Sequence, residues 1–277
     1  MVATPSWQLG VFPMRPIKLT QWVISGGVLF AGLVRAITGQ GLRFCVVCQH
    51  HVPAFLPWRG GWAAAPPLMA ALHVIGSDLD HFACPRCGAT DRDRHLHWYL
   101  DRSGIAKSLH GKRVLHFAPE KGLVSWVASF EPAEHVLADL YPQCDDIRRI
   151  DLESIPFADG YFDCVIANHV LEHVGSLERA TREIGRVLSS SGIALLQTPW
   201  CKGLARTIED PAVVSPEARL QLYGQDDHVR LFGSDVYERI SGDALRAEPV
   251  THASLLADVD PDRYGVNPDE DLMLFRR

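Results

Sequence analysis

After residue 112, short apolar runs alternate with amphipathic segments, and this alternation restricts the fold more than any other feature of the sequence. Each run is short enough for a buried strand, and the intervening segments place apolar residues on one face of a helix. The predicted strands are Arg113–Phe117, His135–Ala138, Phe162–Ala167 and Ile193–Gln197, and the predicted helices are Lys121–Phe130 and Leu177–Leu188. Strands that alternate with helices form parallel crossover units, so we predict an α/β fold with a doubly wound, mostly parallel sheet. Ligands of such sheets bind at the carboxyl ends of the strands.

The part of the chain before this pattern differs in charge. Its first acidic residue is Asp78, and residues 1–77 carry +5 of a net charge of −6, which leaves −11 for the remainder. Nucleic-acid binding needs a clustered basic surface, and five basic residues spread over this length do not predict one. Residues 53–67 show no period and predict an irregular loop, whereas 91–108 predict a helix.

The most apolar stretch lies near the start of the sequence. Residues 22–34 are 13 apolar or small residues, too few to span a bilayer. Arg15 and Lys18 precede them, but no small-residue cleavage site follows cleanly, so a packed or membrane-surface helix is favoured over a signal peptide. We expect residues 1–40 to form an apolar and basic helical segment that makes weak membrane-surface or protein contacts.

Two Cys-x-x-Cys pairs mark a metal site. The spacing in Cys45–Cys48 and in Cys84–Cys87 lets two thiolates on one tight turn reach the same tetrahedral ion, and Gly88 relaxes the second turn. We predict a structural zinc site with four thiolate ligands, at Cys45, Cys48, Cys84 and Cys87. The alternatives are buried free thiols or a redox pair, and His50 and His51 are close enough to compete as ligands. An odd total of seven cysteines fits a reducing compartment, so we expect a cytoplasmic protein.

The loop after the first predicted strand of the alternating region is the candidate cofactor loop. Arg113–Phe117 leads into residues 118–123 and then into a helix, where a doubly wound fold places such a loop. Asp139 ends the next strand, 17 residues beyond Gly122. An acid at this point accepts hydrogen bonds from both hydroxyls of a ribose.

Further landmarks follow in order. Asp151-Leu152-Glu153 comes next, then Phe162-Asp163 at a strand, then Arg186-Val187-Leu188 with Gly192 before the last strand. Over residues 113–199 this order resembles the class I S-adenosylmethionine (SAM)-dependent methyltransferases. The segments LHFAPE, NHVLEH and GQxDHVRxFG, with the cysteine cluster before them, are similar to a group of bacterial methyltransferase-domain proteins.

The resemblance implies a Rossmann-like methyltransferase fold with a small N-terminal zinc-binding region. It divides the chain into residues 1–40, a zinc-knuckle region with a linking helix at 41–108, and a methyltransferase domain at 109–277 with a substrate insertion at about 200–240. It implies that SAM is the cofactor. Asp139 would then bind the ribose, Asp151 would bind the adenine amino group, and residues 118–122 would surround the amino-acid end of the cofactor. The full implied cofactor set is His116, Ala118, Pro119, Glu120, Gly122, Asp139, Leu140, Asp151, Leu152 and Asn168.

The first loop departs from the pattern of this superfamily. His116 stands where an acid is usual, and Ala118 and Glu120 stand where glycine is usual. The close backbone approach that glycine permits is therefore partly lost, and Glu120 is expected to face the ammonium or sulfonium of the cofactor instead.

Two histidine motifs are the candidate catalytic groups. His169-Val-Leu-Glu172-His173 has the spacing of an inverted zinc-protease motif, but it follows a strand, so we expect His169 to face the cofactor and Glu172 and His173 to begin the next helix. The cluster around His228 and Arg230 offers a base and a fixed cation for an anionic acceptor; the alternative is a solvated charged turn. We therefore predict His228, His169 and Arg230 as catalytic residues.

The expected activity is methyl transfer from SAM to an oxygen or nitrogen of a small metabolite or sugar-derived intermediate. One alternative is a ribosomal or transfer RNA methyltransferase with a zinc finger, although no nucleic-acid partner is expected from the charge. The other is a non-catalytic subunit with a nucleotide-binding fold that docks through its apolar N-terminus. The sequence predicts neither the acceptor nor the oligomeric state.

Overall fold

The computed structural model describes residues 26–27, 30, 32–34, 37 and 41–277. The predicted N-terminal segment at 1–40 therefore lies almost wholly outside the described residues. Within the described part of the chain, no helix is long and apolar enough to cross a membrane.

A seven-stranded sheet forms the centre of the molecule. The strands of the whole described chain are β1 Arg43–Cys45, β2 His50–Val52, β3 Val74–Ile75, β4 Arg113–Phe117, β5 Glu134–Asp139, β6 Arg148–Arg149, β7 Phe162–Ala167, β8 Leu188–Leu195, β9 Trp200–Cys201, β10 Ile208–Glu209, β11 Arg230–Leu231, β12 Arg246–Ala247 and β13 Leu274–Arg276. The central sheet has the order β12-β13-β8-β7-β4-β5-β6. All pairs from β8 to β6 are parallel, and β13 runs antiparallel to β8 and to β12. The prediction of a doubly wound, mostly parallel sheet is confirmed.

Helices cover both faces of this sheet. From residue 41 onward the α-helices are α1 Pro67–Ala71, α2 Asp91–Arg102, α3 Ile105–Ser108, α4 Lys121–Ala128, α5 Leu177–Val187, α6 Pro216–Tyr223, α7 Val236–Ser241, α8 His252–Leu255 and α9 Pro261–Tyr264. On one face Ile184 of α5 and Ile240 of α7 pack with Leu115 in a single apolar cluster. On the other face Leu100 of α2 and Val127 of α4 pack with Val114. Apolar burial on both faces is what makes the strands read as continuous apolar runs.

Local sequence explains where two helices begin and end. Thr90 caps α2 through a capping box with Asp93, in which each side chain accepts from the other residue's backbone N–H. The predicted single helix over 91–108 is two helices, because Gly104 between them has φ +76° and breaks the helical path. Ser176 caps α5 by accepting from the Arg179 backbone N–H.

The N-terminal region joins the sheet domain at several places. β3 pairs with β9, which follows the central strand β8 by four residues. Helix α1 packs against α6, where Met69 and Tyr223 are buried in one cluster. The cysteine-bearing region and the segment after β8 therefore form one continuous structure above the carboxyl ends of the strands.

Candidate active site

Two residues at the carboxyl ends of neighbouring strands have left-handed backbone conformations. Ala118 follows β4 with φ +45°, and His169 follows β7 with φ +53°. This region disfavours side chains that carry a Cβ, and such conformations concentrate at functional sites. At Ala118 the backbone keeps the conformation for which glycine is suited, although the sequence has replaced glycine there.

A hydrogen-bonded chain of three polar side chains lies at the same edge. His116 Nε2 is 2.8 Å from Glu120 Oε2, and Asn168 Nδ2 donates to Glu120 Oε1 at 3.2 Å. Burial opposes the charge on Glu120, but the hydrogen bond and charge of His116 outweigh it and lower the pKa of that carboxyl. Asn168 Oδ1 is buried and has no hydrogen-bond partner among the described residues. An anionic carboxylate beside an open amide acceptor suits a cationic group such as the ammonium of SAM.

The remaining expected cofactor residues line the same edge of the sheet or lie near it. Asp139 is half-buried at the end of β5, and its Oδ1 accepts from the Tyr141 backbone N–H at 2.7 Å. Asp151 is exposed, and its Oδ1 accepts from the Glu153 backbone N–H at 2.8 Å. Leu152 is part of the buried core, whereas Leu140 is exposed. Pro119 and Gly122 are half-buried.

Two cavities meet at His169. The larger, about 460 Å³, opens between the cysteine-bearing region and the segment after β8; its lining includes Trp58, Arg92, Tyr223, Asp226 and His228. The smaller, about 10 Å³, reaches Glu120 and Asn168. Since His169 lines both, it stands between the candidate cofactor end and the larger cavity.

A buried carboxylate organises the histidines beside the larger cavity. Glu172 Oε1 is 3.3 Å from His169 Nδ1, and Glu172 Oε2 accepts from Thr198 Oγ1 at 3.0 Å. Burial would raise the pKa of Glu172, but the hydrogen bond from His169 and the attraction of the neighbouring imidazoles lower it to about 2. The contact with Glu172 places the Nδ1 proton of His169 on the carboxylate side, so the buried Nε2 has a free lone pair and no partner in the described structure.

His228 is held in a similar way. It is 3% exposed, its Nδ1 is 3.0 Å from the Tyr223 carbonyl oxygen, and its Nε2 is buried with no hydrogen-bond partner in the described structure. Because a carbonyl oxygen only accepts, Nδ1 carries the proton and Nε2 has a free lone pair. Burial lowers the pKa of this imidazole, which favours its neutral form.

Arg230 does not fulfil the expected role of an acceptor anchor. It is 0% exposed; its guanidinium pairs with Glu209 at 2.6 Å and donates to the Leu171 and Val174 carbonyl oxygens. These donors are used to hold β11 against the loop after β7, so the side chain is structural and does not line the larger cavity. The sequence predicted that both His228 and Arg230 are catalytic residues. In the structure His228 lines the larger cavity and Arg230 does not.

Glu172 and His173 also differ from the sequence-based expectation. They lie in a turn after β7 and do not begin α5, which starts at Leu177. His173 lies beside Glu172 and His228. The His-x-x-Glu-His spacing was the signal that could have found this grouping, but only the distant His228 completes it.

The four cysteines form a compact cluster. Their sulfur atoms all lie within 4.8 Å of one another, and Cys45 Sγ and Cys87 Sγ are 3.8 Å apart. A tetrahedron of thiolates about 2.3 Å from zinc has edges of about 3.8 Å, so the cluster fits this ion. Gly88 has φ +77°, as expected for the turn. His50 Nδ1 instead contacts the Cys48 carbonyl oxygen, and His51 packs edge-on against Phe44.

The cysteine cluster touches the candidate cofactor loop. Val47 lies between Cys45 and Cys48, and a Cβ atom added at Gly122 would be 3.2 Å from Val47 Cγ1. The glycine therefore permits close packing between the first knuckle and the start of α4.

Comparison with known proteins is consistent with this arrangement. Residues 103–196 match the family model described as a methyltransferase domain. A comparison with curated proteins finds no match.

Three solved structures are among those found to be similar to this chain. An S-adenosylmethionine-dependent methyltransferase from Mesorhizobium loti is 14% identical, with 65% of this chain and 97% of that chain covered at a TM-score of 0.45. A putative sarcosine dimethylglycine methyltransferase from Galdieria sulphuraria is 14% identical, with 67% of this chain and 84% of that chain covered at a TM-score of 0.43. A chain of the complex between the Haloferax volcanii Trm112 methyltransferase activator and a putative methyltransferase is 15% identical, with 67% of this chain and 92% of that chain covered at a TM-score of 0.42.

The match to the family model covers β4, β5, β6, β7 and β8, with the loops that carry Glu120, Asp139 and Asn168. Residues 103–196 thus match a methyltransferase domain, which agrees with the enzyme class expected from the sequence, a SAM-dependent methyltransferase.

Proposed function

We propose that this enzyme transfers a methyl group from SAM to an oxygen or nitrogen of a small metabolite or sugar-derived acceptor. The observation that carries the proposal is the position of His169, whose unpartnered Nε2 is buried where the two cavities meet. A cavity of about 460 Å³ has the size of a small-molecule site, which favours this acceptor class over an RNA.

The cofactor would be held along the carboxyl ends of β4, β5 and β7. Asp139 would accept from the ribose hydroxyls, since Tyr141 uses only its Oδ1. Asp151 would accept from the adenine amino group. The amino-acid end would lie against residues 118–122, with Glu120 and Asn168 facing its ammonium. His116 supports this end indirectly, because its Nε2 fixes the Glu120 carboxylate.

A bound SAM would supply a methyl group that is already activated by its sulfonium. The protein then needs to align the acceptor and exclude water. For a hydroxyl acceptor it must also remove a proton. His169 is the best-placed base, because Glu172 orients its ring, its Nε2 has no partner in the described structure and the residue lines both cavities; His228 is the second candidate.

The four cysteines would hold one structural zinc. Four thiolates leave no open position for a substrate, so the ion would stabilise the N-terminal region and take no part in chemistry. Through Val47 and Gly122 it would also support the cofactor loop.

Two measurements test the proposal. Calorimetry with S-adenosylhomocysteine should show binding to the purified chain, and a panel of hydroxyl- and amine-bearing small molecules should include one that causes S-adenosylhomocysteine release. Binding without release across sugars, amines and carboxylic acids would favour a non-catalytic subunit. Release only with RNA, with affinity that falls steeply as salt rises, would favour an RNA methyltransferase.

A further inference from the structure

A second group of metal-ligating side chains lies apart from the cysteine cluster. One carboxylate oxygen of Glu172 and one ring nitrogen each of His173 and His228 all lie within 4.8 Å of one another. We propose that these three residues bind one divalent first-row transition-metal ion, which holds a hydroxyl oxygen of the acceptor beside His169. The assignment of the acceptor rests on the proposed function; the binding of the ion does not.

The unpartnered nitrogen of His228 is the first argument. A buried polar atom without a hydrogen bond is energetically costly, so native structures rarely leave one without a use. His228 Nε2 carries a free lone pair because Nδ1 donates to the Tyr223 carbonyl oxygen. A metal ion would use this lone pair directly.

Groups outside the trio orient its members as they do in metal sites. Metal-binding histidines commonly donate their other ring N–H to a carbonyl or a carboxylate, and ligating carboxylates are themselves hydrogen-bonded. His228 has the Tyr223 carbonyl oxygen, and His173 Nδ1 is 3.4 Å from Asp227 Oδ2. Thr198 Oγ1 donates to Glu172 Oε2.

Two aspartates on the segment that carries His228 favour a cation. Asp227 lies beside His173, and Asp226 lines the larger cavity together with His228. Arg230 is close to His228 in sequence, but its charge is neutralised by Glu209. Its guanidinium donates to the Leu171 and Val174 carbonyl oxygens. Arg59 and Arg92 also line this cavity, and Arg92 shares the smaller cavity with His169.

Two imidazoles and one carboxylate form a donor set that binds zinc, iron and related ions and leaves coordination positions open. An acceptor hydroxyl bound at an open position would lose its proton more readily. The O–H bond would break with the proton passing to His169 Nε2. The new C–O bond would form as the S–C bond of the donor breaks, which leaves the neutral thioether S-adenosylhomocysteine.

Manganese titration followed by electron paramagnetic resonance tests the site without any acceptor. The protein is first washed with a mild chelator that removes weakly held ions and leaves the cysteine site loaded with zinc. Mn²⁺ is the probe because thiolates bind it poorly. The wild-type chain should bind about one Mn²⁺, whereas His173→Ala and His228→Gln should each weaken that binding at least tenfold.

His110→Ala is the matched control, because His110 is an exposed histidine that lies 3.8 Å from a carboxylate, that of Glu131, and is not part of the trio. The Mn²⁺ titration of this variant should equal that of the wild type. His173 is 33% exposed, so His173→Ala should fold even if His228→Gln does not. Absence of Mn²⁺ binding in the wild type, or equal binding in His173→Ala, would overturn the metal site. Calorimetry with S-adenosylhomocysteine on the same samples separates the two ideas, since cofactor binding without Mn²⁺ binding overturns the metal site alone.

Discussion

The guanidinium of Arg94 lies 3.7 Å from the centre of the Phe55 ring, and both side chains are fully buried. Arg94 has no carboxylate partner in the described structure; it donates instead to backbone carbonyl oxygens of two separate regions. The acceptors are His81, Phe82 and Ala89 in the cysteine-bearing region and Tyr264 and Gly265 near the C-terminus. One buried side chain thus ties the cysteine-bearing region to the sheet domain.

Replacing Arg94 should therefore destabilise the whole protein. Arg94→Met keeps much of the volume but removes every donor, and the buried carbonyls left without a partner should cost about 3 kcal/mol or more. Urea denaturation should show a lower midpoint with an unchanged slope. Arg102→Met is the control, because Arg102 is on the same helix in an exposed pair with Asp258 and should hardly move the midpoint. Equal midpoints for the wild type and Arg94→Met would contradict this role.

Asp91 should make stability fall as the pH rises. It is buried at the start of α2, where burial and the nearby charge of Glu270 raise its pKa from 3.8 to about 8. Between these values the folded state holds a proton that the unfolded state has lost, so this group lowers the free energy of unfolding by up to about 1.4 kcal/mol per pH unit.

Asp91→Asn removes this dependence while its amide oxygen still accepts from the Asp78 backbone N–H. The free energy of unfolding of Asp91→Asn, relative to that of the wild type, should increase between pH 5.5 and pH 7.5 by on the order of 1 kcal/mol per pH unit. Urea denaturation at both pH values measures this difference. Asp101→Asn, at an exposed position of the same helix, should show no such growth. A constant difference between Asp91→Asn and the wild type would show that Asp91 is ionised when folded.

Loss of the zinc site should weaken both the N-terminal region and cofactor binding. After washing with a mild chelator, the wild-type chain should retain about one zinc, and Cys84→Ser should retain almost none, because three thiolates hold the ion far less tightly. S-adenosylhomocysteine affinity should fall several-fold, since Val47 no longer packs firmly beside Gly122. Cys144→Ser changes an exposed cysteine outside the cluster and should keep its zinc and its affinity. Zinc retention by Cys84→Ser would exclude it as a ligand.

The sequence was sufficient for the features that depend on short-range patterns. The strands at 113–117 and 162–167 have the predicted bounds, since apolar burial on both faces leaves a clear signal. The spacing within each Cys-x-x-Cys pair likewise predicted which sulfur atoms meet. Both features are set by residues close together in the chain.

Features that depend on distant residues were missed or misjudged. Arg230 was predicted to face an acceptor, but its Nη1 and Nη2 donate to two carbonyl oxygens and to Glu209. The partners of Arg94 could not be predicted, because they are backbone carbonyl oxygens, which carry no sequence signal. His228 meets Glu172 and His173 only after β11 packs onto the loop that follows β7. Charge alone could not distinguish a buried structural arginine from a binding arginine.

Asp139 should contribute directly to cofactor affinity. An acid at the end of β5 can accept two ribose hydrogen bonds that alanine cannot, each charge-assisted bond contributing roughly 1.5 to 3 kcal/mol. Asp139→Ala should weaken S-adenosylhomocysteine binding on the order of tenfold or more by calorimetry. Asp146→Ala, which changes an exposed acid in the loop that follows β5, should bind as the wild type does. Unchanged affinity in Asp139→Ala would place the ribose elsewhere.

His169 should be needed for turnover and not for cofactor affinity. His169→Asn removes the basic Nε2, and asparagine tolerates the left-handed backbone at φ +53°, so the loop should keep its shape. Turnover of a hydroxyl acceptor should fall by about 10²- to 10⁴-fold, with S-adenosylhomocysteine affinity nearly intact. The rise of the rate with pH that reports a histidine base should also disappear.

His73→Asn is the control for this substitution, because His73 has a similar backbone at φ +51° but does not line the cavities that meet at His169. It should leave turnover, affinity and pH profile as they are in the wild type. If His169→Asn instead lost cofactor affinity in proportion to turnover, the side chain would be a binding residue. If turnover fell but the pH profile kept its ascending limb, another group, first of all His228, would be removing the proton.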